Sequence, residues 1–243
     1  MKKVAILLIA MLALTGTQCL AQNAEKIIER YIRVTGGIQK LSNIKKIEIS
    51  KIGSGYNGEI EVIDFYQYPS TRVQHYYING QETYHYEFDG NTGLVINNGV
   101  TTQMNYQDIA LSKAIQLFMP ELYYRQNNFT VEYLGSGSID QFNGTYDKVQ
   151  FTAPNGNYFV NFYDQKTGYK ARIQYMDLSF EHYSAFEEID GVVVPTEYLY
   201  QVLAVKTMFV LNDIAFNGRE EDSFTTAYQE EDYYGEDNWQ GST

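Results

Sequence analysis

The sequence has few of the residues that most enzymes and metal sites use. It contains one cysteine and three histidines in 243 residues. The cysteine, Cys19, lies near the N-terminus, so a chain that starts after Ala21 would have no disulfide, no thiol nucleophile and no cysteine-based metal site. The G-x-S-x-G, H-E-x-x-H, P-loop and dinucleotide-binding motifs are also absent. We therefore predict a protein that is not an enzyme, with no catalytic residue, no cofactor and no metal site.

Long apolar runs are missing after the N-terminal segment. There, two lysines precede an apolar run of eleven residues from Val4 to Leu14. This pattern predicts a signal peptide over residues 1–21, cleaved after Ala21, and hence a periplasmic or envelope-associated protein. The alternative is a lipoprotein signal acylated at Cys19, but Gln18 stands where such a signal needs a small residue. Because the run is too short to span a bilayer, we predict no transmembrane segment in the mature chain.

Positive charge is scarce. The chain has 18 basic and 30 acidic residues, and removal of the two signal-peptide lysines leaves a net charge of −14. This balance argues against a nucleic-acid partner and against attraction to anionic lipid headgroups. Eight of the acids lie in residues 220–243, which hold no base and no hydrophobic periodicity. We predict one folded domain over residues 22–219 and a disordered acidic tail over residues 220–243.

Aromatic residues are abundant, with 23 tyrosines and 13 phenylalanines, most of them on short segments of alternating polarity. An aromatic side chain combines a large apolar face with, in tyrosine, a polar tip, which suits a binding surface. This composition favours a binding or carrier protein over an enzyme.

The periodicity of the chain predicts a helix, a strand-rich region interrupted by a second helix, and further strands. Asn23 caps the first helix, which ends at Gly36-Gly37. Asn105 caps the second helix, and Pro120 ends or kinks it. Hairpin dipeptides such as Asn79-Gly80 indicate antiparallel neighbours. The candidate strands are Lys46–Gly53, Glu59–Tyr68, Thr71–Ile78, Glu82–Phe88, Leu94–Asn97, Thr101–Met104, Thr130–Leu134, Tyr146–Thr152, Tyr158–Asp164, Tyr169–Met176, Leu178–Phe186, Val192–Leu203 and Lys206–Asn217.

Two histidines flank the Asn79-Gly80 turn. A two-residue turn places His75 opposite Tyr84 and His85 opposite Gln74, and these two pairs point to opposite faces of the sheet. The two histidines are therefore predicted not to share a metal ion, although a turn of odd length would change this register.

The same register predicts a cross-strand ion pair between Arg72 and Glu87. The third histidine, His182, is predicted to be a surface or hydrogen-bonded residue. A hydrolase remains a third hypothesis, which would require His182 to lie near a serine and an acid.

Several short motifs together resemble a known superfamily. An Ala-Glu-Lys-Ile-Ile-Glu-Arg-Tyr helix ends in Gly-Gly, and Tyr163-Asp164-x-x-Thr167-Gly168 leads to Arg172. Phe186-x-x-Ile189-Asp190-Gly191-x-x-x-Pro195 follows, and Asn212 lies in the last strand. The order of these motifs is similar to that of the outer-membrane lipoprotein-sorting and carrier superfamily, the LolA/LolB-like fold, and especially to its Bacteroidetes-type relatives.

This resemblance implies an α+β fold: a strongly curved antiparallel sheet, or unclosed β-barrel, of about 11 strands whose concave face is covered by the N-terminal and mid-chain helices. It also implies an apolar cavity, which holds acyl chains in the best-known members. If the helices and sheet instead meet in a solid core, no such cavity exists. The candidate lining residues are Leu111, Ile115, Phe118, Tyr158, Val160, Phe162, Ile173 and Tyr175.

The sequence thus leads to two main hypotheses. The first is a periplasmic, non-enzymatic binder or carrier of a lipid, a lipoprotein acyl chain or a similar apolar ligand. The alternative is a cell-envelope protein–protein interaction module that uses a tyrosine-rich sheet surface to bind other envelope proteins.

Overall fold

A computed structural model describes residues 23–55, 57–140 and 142–218. The predicted signal peptide and acidic tail lie outside these residues and stay predictions. The helices are α1 (23–35), α2 (Ile38–Asn43), α3 (Tyr106–Ile115) and α4 (Pro120–Tyr123). The strands are β1 (Lys46–Gly55), β2 (Gly58–Gln67), β3 (Thr71–Ile78), β4 (Gln81–Phe88), β5 (Gly93–Asn97), β6 (Val100–Gln103), β7 (Thr130–Ile139), β8 (Phe142–Thr152), β9 (Tyr158–Asp164), β10 (Lys170–Tyr175), β11 (Phe180–Ile189), β12 (Val192–Val202) and β13 (Val205–Phe216).

The described strands form one antiparallel sheet in the order β6-β5-β4-β3-β2-β1-β13-β12-β11-β10-β9-β8-β7. Almost every neighbouring pair is a hairpin, and the pairing of β1 with β13 joins the two halves of the chain. The sheet is curved but not closed, because β6 and β7 at its ends do not pair with each other. The predicted fold class is confirmed. The sheet has 13 strands rather than about 11, since even the short strands β5 and β6 are paired.

The helices cover one face of this sheet, which we call the inner face. Ala24 and Ile28 of α1 are buried in the main core together with Phe151 of β8, Phe159 of β9 and Val194 of β12. The sheet alternation places the remaining side chains on an outer face. The main core therefore lies between the helices and the inner face.

The mid-chain helix is shorter than the hydrophobic spacing suggests. Asn105 forms the predicted capping box. Its side chain accepts hydrogen bonds from the backbone of residues 107 and 108, and its own backbone N–H donates to the side chain of Asp108. α3 ends at Ile115, and Met119 then adopts a left-handed φ of 43° before α4 begins at Pro120. Proline is suited to the first helical turn, so the predicted break at Pro120 is the start of a separate short helix.

The predicted register of the β3–β4 hairpin is wrong beyond its first two pairs. Ile78 pairs with Gln81 as predicted, but the register shifts between Tyr76 and Tyr77, so that Tyr76 faces Tyr84 and Thr83 is an extra residue. A β-bulge of one residue moves every later side chain of one strand to the other face. His75 therefore lies directly opposite His85.

The predicted ion pair between Arg72 and Glu87 is also wrong, for the same reason. Arg72 is opposite Phe88 on β4, and its guanidinium contacts Asp64 of β2 instead.

Candidate functional site

A cavity of about 900 Å³ lies between the inner face and α3. Its walls include Arg72 and Tyr76 of β3 and Tyr198 and Tyr200 of β12, although three strands separate β3 from β12 in the sheet. The sheet therefore curves around the cavity. Small-molecule sites in proteins have volumes of roughly 300–1,000 Å³, so this cavity is large enough for an organic ligand.

A second cavity of about 260 Å³ adjoins the first. It extends beneath the segment that joins α3 to α4, where Leu117, Phe118 and Leu122 face Phe159 and Ile173 of the sheet. Its other walls include aliphatic side chains of α1, β1 and β12 and the charged residues Glu121 and Lys170. The residues that line both cavities are Lys51, Arg72, Ile115, Gln116, Tyr175, Glu181 and Tyr198.

Five of the eight predicted lining residues lie on these cavities. Leu111, Ile115 and Tyr175 line the larger cavity, and Phe118 and Ile173 line the smaller one together with Ile115 and Tyr175. The structure brings together residues from α3, the following segment and β10, which are distant from one another in the sequence.

The other three predicted residues, Tyr158, Val160 and Phe162, line neither cavity. They alternate with Phe159 and Tyr163, which belong to the main core beneath the helices. Phe162 and Val160 instead pack in a small cluster on the outer face with Tyr146 and other residues. The residues of β9 that face inward are thus the ones that lie between the three predicted residues.

Asn161 explains this difference. An asparagine between apolar residues indicates a solvent-facing position, yet Asn161 is fully buried on the inner face. Its Nδ2 donates a hydrogen bond of 2.9 Å to Oε1 of Glu121, which offsets part of the cost of burying the amide, while its Oδ1 has no hydrogen-bond partner among the described residues. Because this polar residue occupies an inward-facing position, the polarity pattern of the strand suggests the opposite face.

A buried carboxylate, Asp64, lies behind the wall of the larger cavity. Its Oδ1 accepts hydrogen bonds from NH2 of Arg72 at 2.7 Å and from Nε2 of Gln74 at 2.8 Å, and its Oδ2 lies 2.9 Å from Nζ of Lys51. NH1 of Arg72 donates to Gln116 in the segment after α3. Burial alone would raise the pKa of Asp64, but the charges of Arg72 and Lys51 outweigh burial and hold it well below its usual range.

A second buried carboxylate, Glu121 of α4, lies at the smaller cavity. Its Oε1 accepts hydrogen bonds from Asn161, from Tyr163 at 2.9 Å and from Nζ of Lys170 at 3.1 Å. Burial would lower the pKa of Lys170, but the adjacent charge of Glu121 outweighs burial and raises it. Each carboxylate therefore lies next to a cation, and the lowered pKa of Asp64 keeps that group ionised near pH 7, unlike a general acid.

Neither carboxylate is among the site residues predicted from the sequence. Asp64 follows Ile60 and Val62 at two-residue spacing and precedes Tyr66. The alternation of β2 therefore places an acid on its apolar face, and this pattern predicts a buried carboxylate. Glu121 follows a proline in a first helical turn, where an exposed acid is common, so its burial has no comparable signal.

Tyrosines supply many of the polar atoms of the cavity walls. Eight tyrosines of the described residues line one or both cavities, and burial raises the pKa of Tyr66, Tyr175 and Tyr183 well above the ordinary value. These phenols therefore stay neutral hydrogen-bonding groups. The lining tyrosines are Tyr31, Tyr66, Tyr76, Tyr106, Tyr175, Tyr183, Tyr198 and Tyr200.

His182 lies away from both cavities. It is buried on the outer face against the ring of Phe142. Burial, and then the positive charge of Arg172, lower the pKa of His182 to about 4. The residue is therefore uncharged at neutral pH.

Comparison with protein-family models and with curated proteins finds no match to this sequence. Comparison with solved structures does. A LolA superfamily protein from Nitrosomonas europaea matches with a TM-score of 0.52 at 11% identity, over 81% of this chain and 94% of the other. A DUF1329 family protein from Desulfovibrio piger matches with a TM-score of 0.50 at 11% identity, over 80% and 93%. The chain has a LolA-like fold. Identities this low show the fold alone.

The mouth of the larger cavity in this LolA-like fold carries exposed apolar side chains beside polar ones. Tyr106 and Leu111 border it from α3, Met176 borders it from the turn after β10, and Val205 borders it from the start of β13. Tyr106 is 84% exposed and Val205 is 69% exposed. An exposed apolar rim next to a cavity is typical of a site where an apolar ligand enters. Among the described residues, no helix is both long and apolar enough to cross a membrane.

Proposed function

We propose that the protein is an exported, non-enzymatic binder or carrier of a lipid, a lipoprotein acyl chain or a similar ligand with an apolar chain. The observation that carries this proposal is the pair of adjoining cavities, about 900 and 260 Å³, between the curved sheet and its helices. Export to the periplasm rests on the N-terminal signal pattern.

The smaller cavity would hold the apolar part of the ligand. Its walls around Leu117, Phe118 and Ile173 are apolar, and each methylene group buried there would contribute about 0.8 kcal/mol. The chain would enter through the mouth of the larger cavity and pass Ile115, which borders both cavities.

The larger cavity would hold a polar end of the ligand. Neutral hydroxyl groups of Tyr76 and Tyr200 and the amide of Gln116 line this cavity and can donate hydrogen bonds there. Such a wall fits an amphiphile better than a pure hydrocarbon, because polar wall groups lose hydrogen bonds to water when a ligand without polar atoms covers them.

Native mass spectrometry of gently purified protein tests the proposal. The wild-type protein should carry a bound lipid or other amphiphile that is released on denaturation. Leu111→Asp should remove it, because a carboxylate would lie at the cavity wall. Leu134→Asp is a matched control: Leu134 is 42% exposed and Leu111 is 39% exposed, but Leu134 lies outside both cavities.

Three results would contradict the proposal. One is a wild-type protein without any bound amphiphile that also fails to take up fluorescent fatty acids. Another is Leu111→Asp protein that is folded by circular dichroism and carries as much ligand as the wild type. The third is equal loss of ligand in both aspartate variants, since that would exclude a specific role of the cavity wall.

The alternative, an envelope interaction module with an outward tyrosine-rich surface, has less support. Six tyrosines of the sheet line the cavities, so these six are not available to an outward surface. A crosslinked envelope partner recovered from protein with empty cavities would favour that alternative.

A further inference from the structure

The outer face of the β3–β4 hairpin carries a cluster of three side chains that the cavities do not use. Nδ1 of His75 lies 2.6 Å from Oε1 of Glu82 and 3.2 Å from Nδ1 of His85, and Nδ1 of His85 lies 3.5 Å from the same oxygen. Gln74 and Tyr76, which flank His75, line the larger cavity, so His75 points away from it. The cluster is therefore separate from the proposed ligand site.

We propose that His75, Glu82 and His85 form a binding site for a divalent transition-metal ion such as zinc. All of their ligand atoms lie within 4.8 Å of one another. Two imidazoles and one carboxylate are a common zinc ligand set, and first-row metals later in the series suit imidazole well.

The distances fit tetrahedral coordination. Zinc–nitrogen bonds of 2.0–2.1 Å place two ligand atoms of a tetrahedron roughly 3.3 Å apart. The separations of 3.2 and 3.5 Å to Nδ1 of His85 match this value. Only the 2.6 Å contact of His75 with Glu82 has to widen, by less than 1 Å, and the Glu82 side chain is 43% exposed and has room to move.

The number of protons and lone pairs in the cluster also favours a bound cation. Three atoms with lone pairs converge on one point, and a hydrogen on Nδ1 of His75 can bond directly to only one of its two neighbours at full strength. A metal ion at this point would accept a lone pair from each of the three atoms. Metal binding at Nδ1 of His85 also requires the proton of that ring on Nε2, and Oε2 of Glu87 lies 3.7 Å from Nε2. This separation is longer than a hydrogen bond, so Glu87 would have to move closer to Nε2 to support a metal-bound His85.

The fold holds the two imidazoles in place before any metal binds. The ring of His75 packs edge-on against Phe65 and is stacked with Tyr77. His85 is only 5% exposed. The bulge at Thr83 is what brings Glu82 and His85 to the same face, since residues three apart on a regular strand point to opposite faces.

The experiment uses the protein purified without a polyhistidine tag and treated with a chelator. Isothermal titration with zinc chloride should show one zinc per chain, and zinc should raise the melting temperature, because an ion that binds only the folded state stabilises it. His75→Gln and Glu82→Gln should each weaken zinc binding at least 10-fold, and His85→Gln should abolish it.

Two controls isolate the cluster. His182→Gln removes the third histidine, and Glu132→Gln removes an exposed carboxylate on β7. Both should keep the wild-type affinity within 2-fold. Because His85 is buried and its replacement risks unfolding, the decisive variants are His75→Gln and Glu82→Gln, each checked for an unchanged melting temperature without metal.

Two results would overturn the proposal. The first is the absence of zinc uptake by the wild-type protein. The second is wild-type affinity in folded His75→Gln and Glu82→Gln protein, which would place any bound zinc elsewhere, such as on the eight acids of residues 220–243.

Discussion

Two buried carboxylates connect the helical layer to the sheet, and they are neutralised in different ways. Asp64 faces two cations, Lys51 and Arg72, and Arg72 links it to Gln116 after α3. Glu121 of α4 faces one cation, Lys170, and two neutral donors on β9. Both networks border the smaller cavity, yet only the first concentrates several charges at one point.

The two networks differ in how many cations would lose their partner if the carboxylate were neutralised. A buried charge is costly unless it is paired and hydrogen-bonded, and two cations that share one anion depend on it completely. Loss of Asp64 would leave two charged groups without compensation, whereas loss of the Glu121 charge would leave one. The number of cations, rather than the number of hydrogen bonds, should therefore set the cost of neutralising each carboxylate.

Asp64→Asn should have the largest effect on stability. The amide cannot balance Lys51 and Arg72, so the free energy of unfolding should fall by about 3–5 kcal/mol. Urea unfolding at pH 7 measures this change. Asp140→Asn, at an exposed position, is the matched control and should change stability by no more than about 0.5 kcal/mol.

A second replacement sharpens this test. Lys51→Met in the Asp64→Asn background should restore part of the lost stability, because it removes one of the two uncompensated charges. A loss below about 1 kcal/mol for Asp64→Asn alone would show that the pair of cations does not depend on this anion.

Glu121→Gln should cost less, about 2 kcal/mol. The amide oxygen can still accept hydrogen bonds from Asn161 or Tyr163, and only Lys170 loses its ionic partner. The same urea experiment measures the change, with Glu132→Gln as the exposed control. If Glu121→Gln were as costly as Asp64→Asn, the number of cations would not explain the difference between the networks.

The sequence predicts the elements of this fold better than their faces. Turn dipeptides such as Asn79-Gly80 and caps such as Asn105 act locally, so each predicted hairpin and helix start can be identified from a few adjacent residues. The fold resemblance rested on the same kind of turn signatures, and the LolA-like fold confirms it.

The face on which a side chain lies and the pairing of two strands depend on contacts between residues that are distant in the sequence. The single extra residue at Thr83 reverses the predicted relation of His75 and His85, and nothing in the turn itself indicates the bulge. The burial of Asn161 depends on Glu121, 40 residues earlier in the chain. The candidate cavity residues on α3 and β10 could be predicted from helix and strand spacing alone. Those on β9 could not, because the inward-facing side of β9 also depends on the distant partner of Asn161.

A third test compares the networks through their tyrosines. Burial, and then the negative charge of Glu121, raise the pKa of Tyr163 well above its ordinary value. The unfolded chain loses this proton near pH 10, while the folded chain keeps it. The stability contributed by neutral Tyr163 is therefore complete below pH 10 and falls by about 1.4 kcal/mol per pH unit above it.

Tyr163→Phe should accordingly cost about 1 kcal/mol at pH 7, where the hydroxyl loses its hydrogen bond to Glu121 and the weaker one that it accepts from Asn161. Above pH 10 its stability should fall less steeply than that of the wild type, by about 1.4 kcal/mol per pH unit, because one proton is no longer released on unfolding. Urea unfolding between pH 8 and pH 11 measures both slopes. Equal slopes would mean that Tyr163 ionises alike in the folded and unfolded chain, and the Glu121 network would then be open to water in a way that the Asp64 network is not.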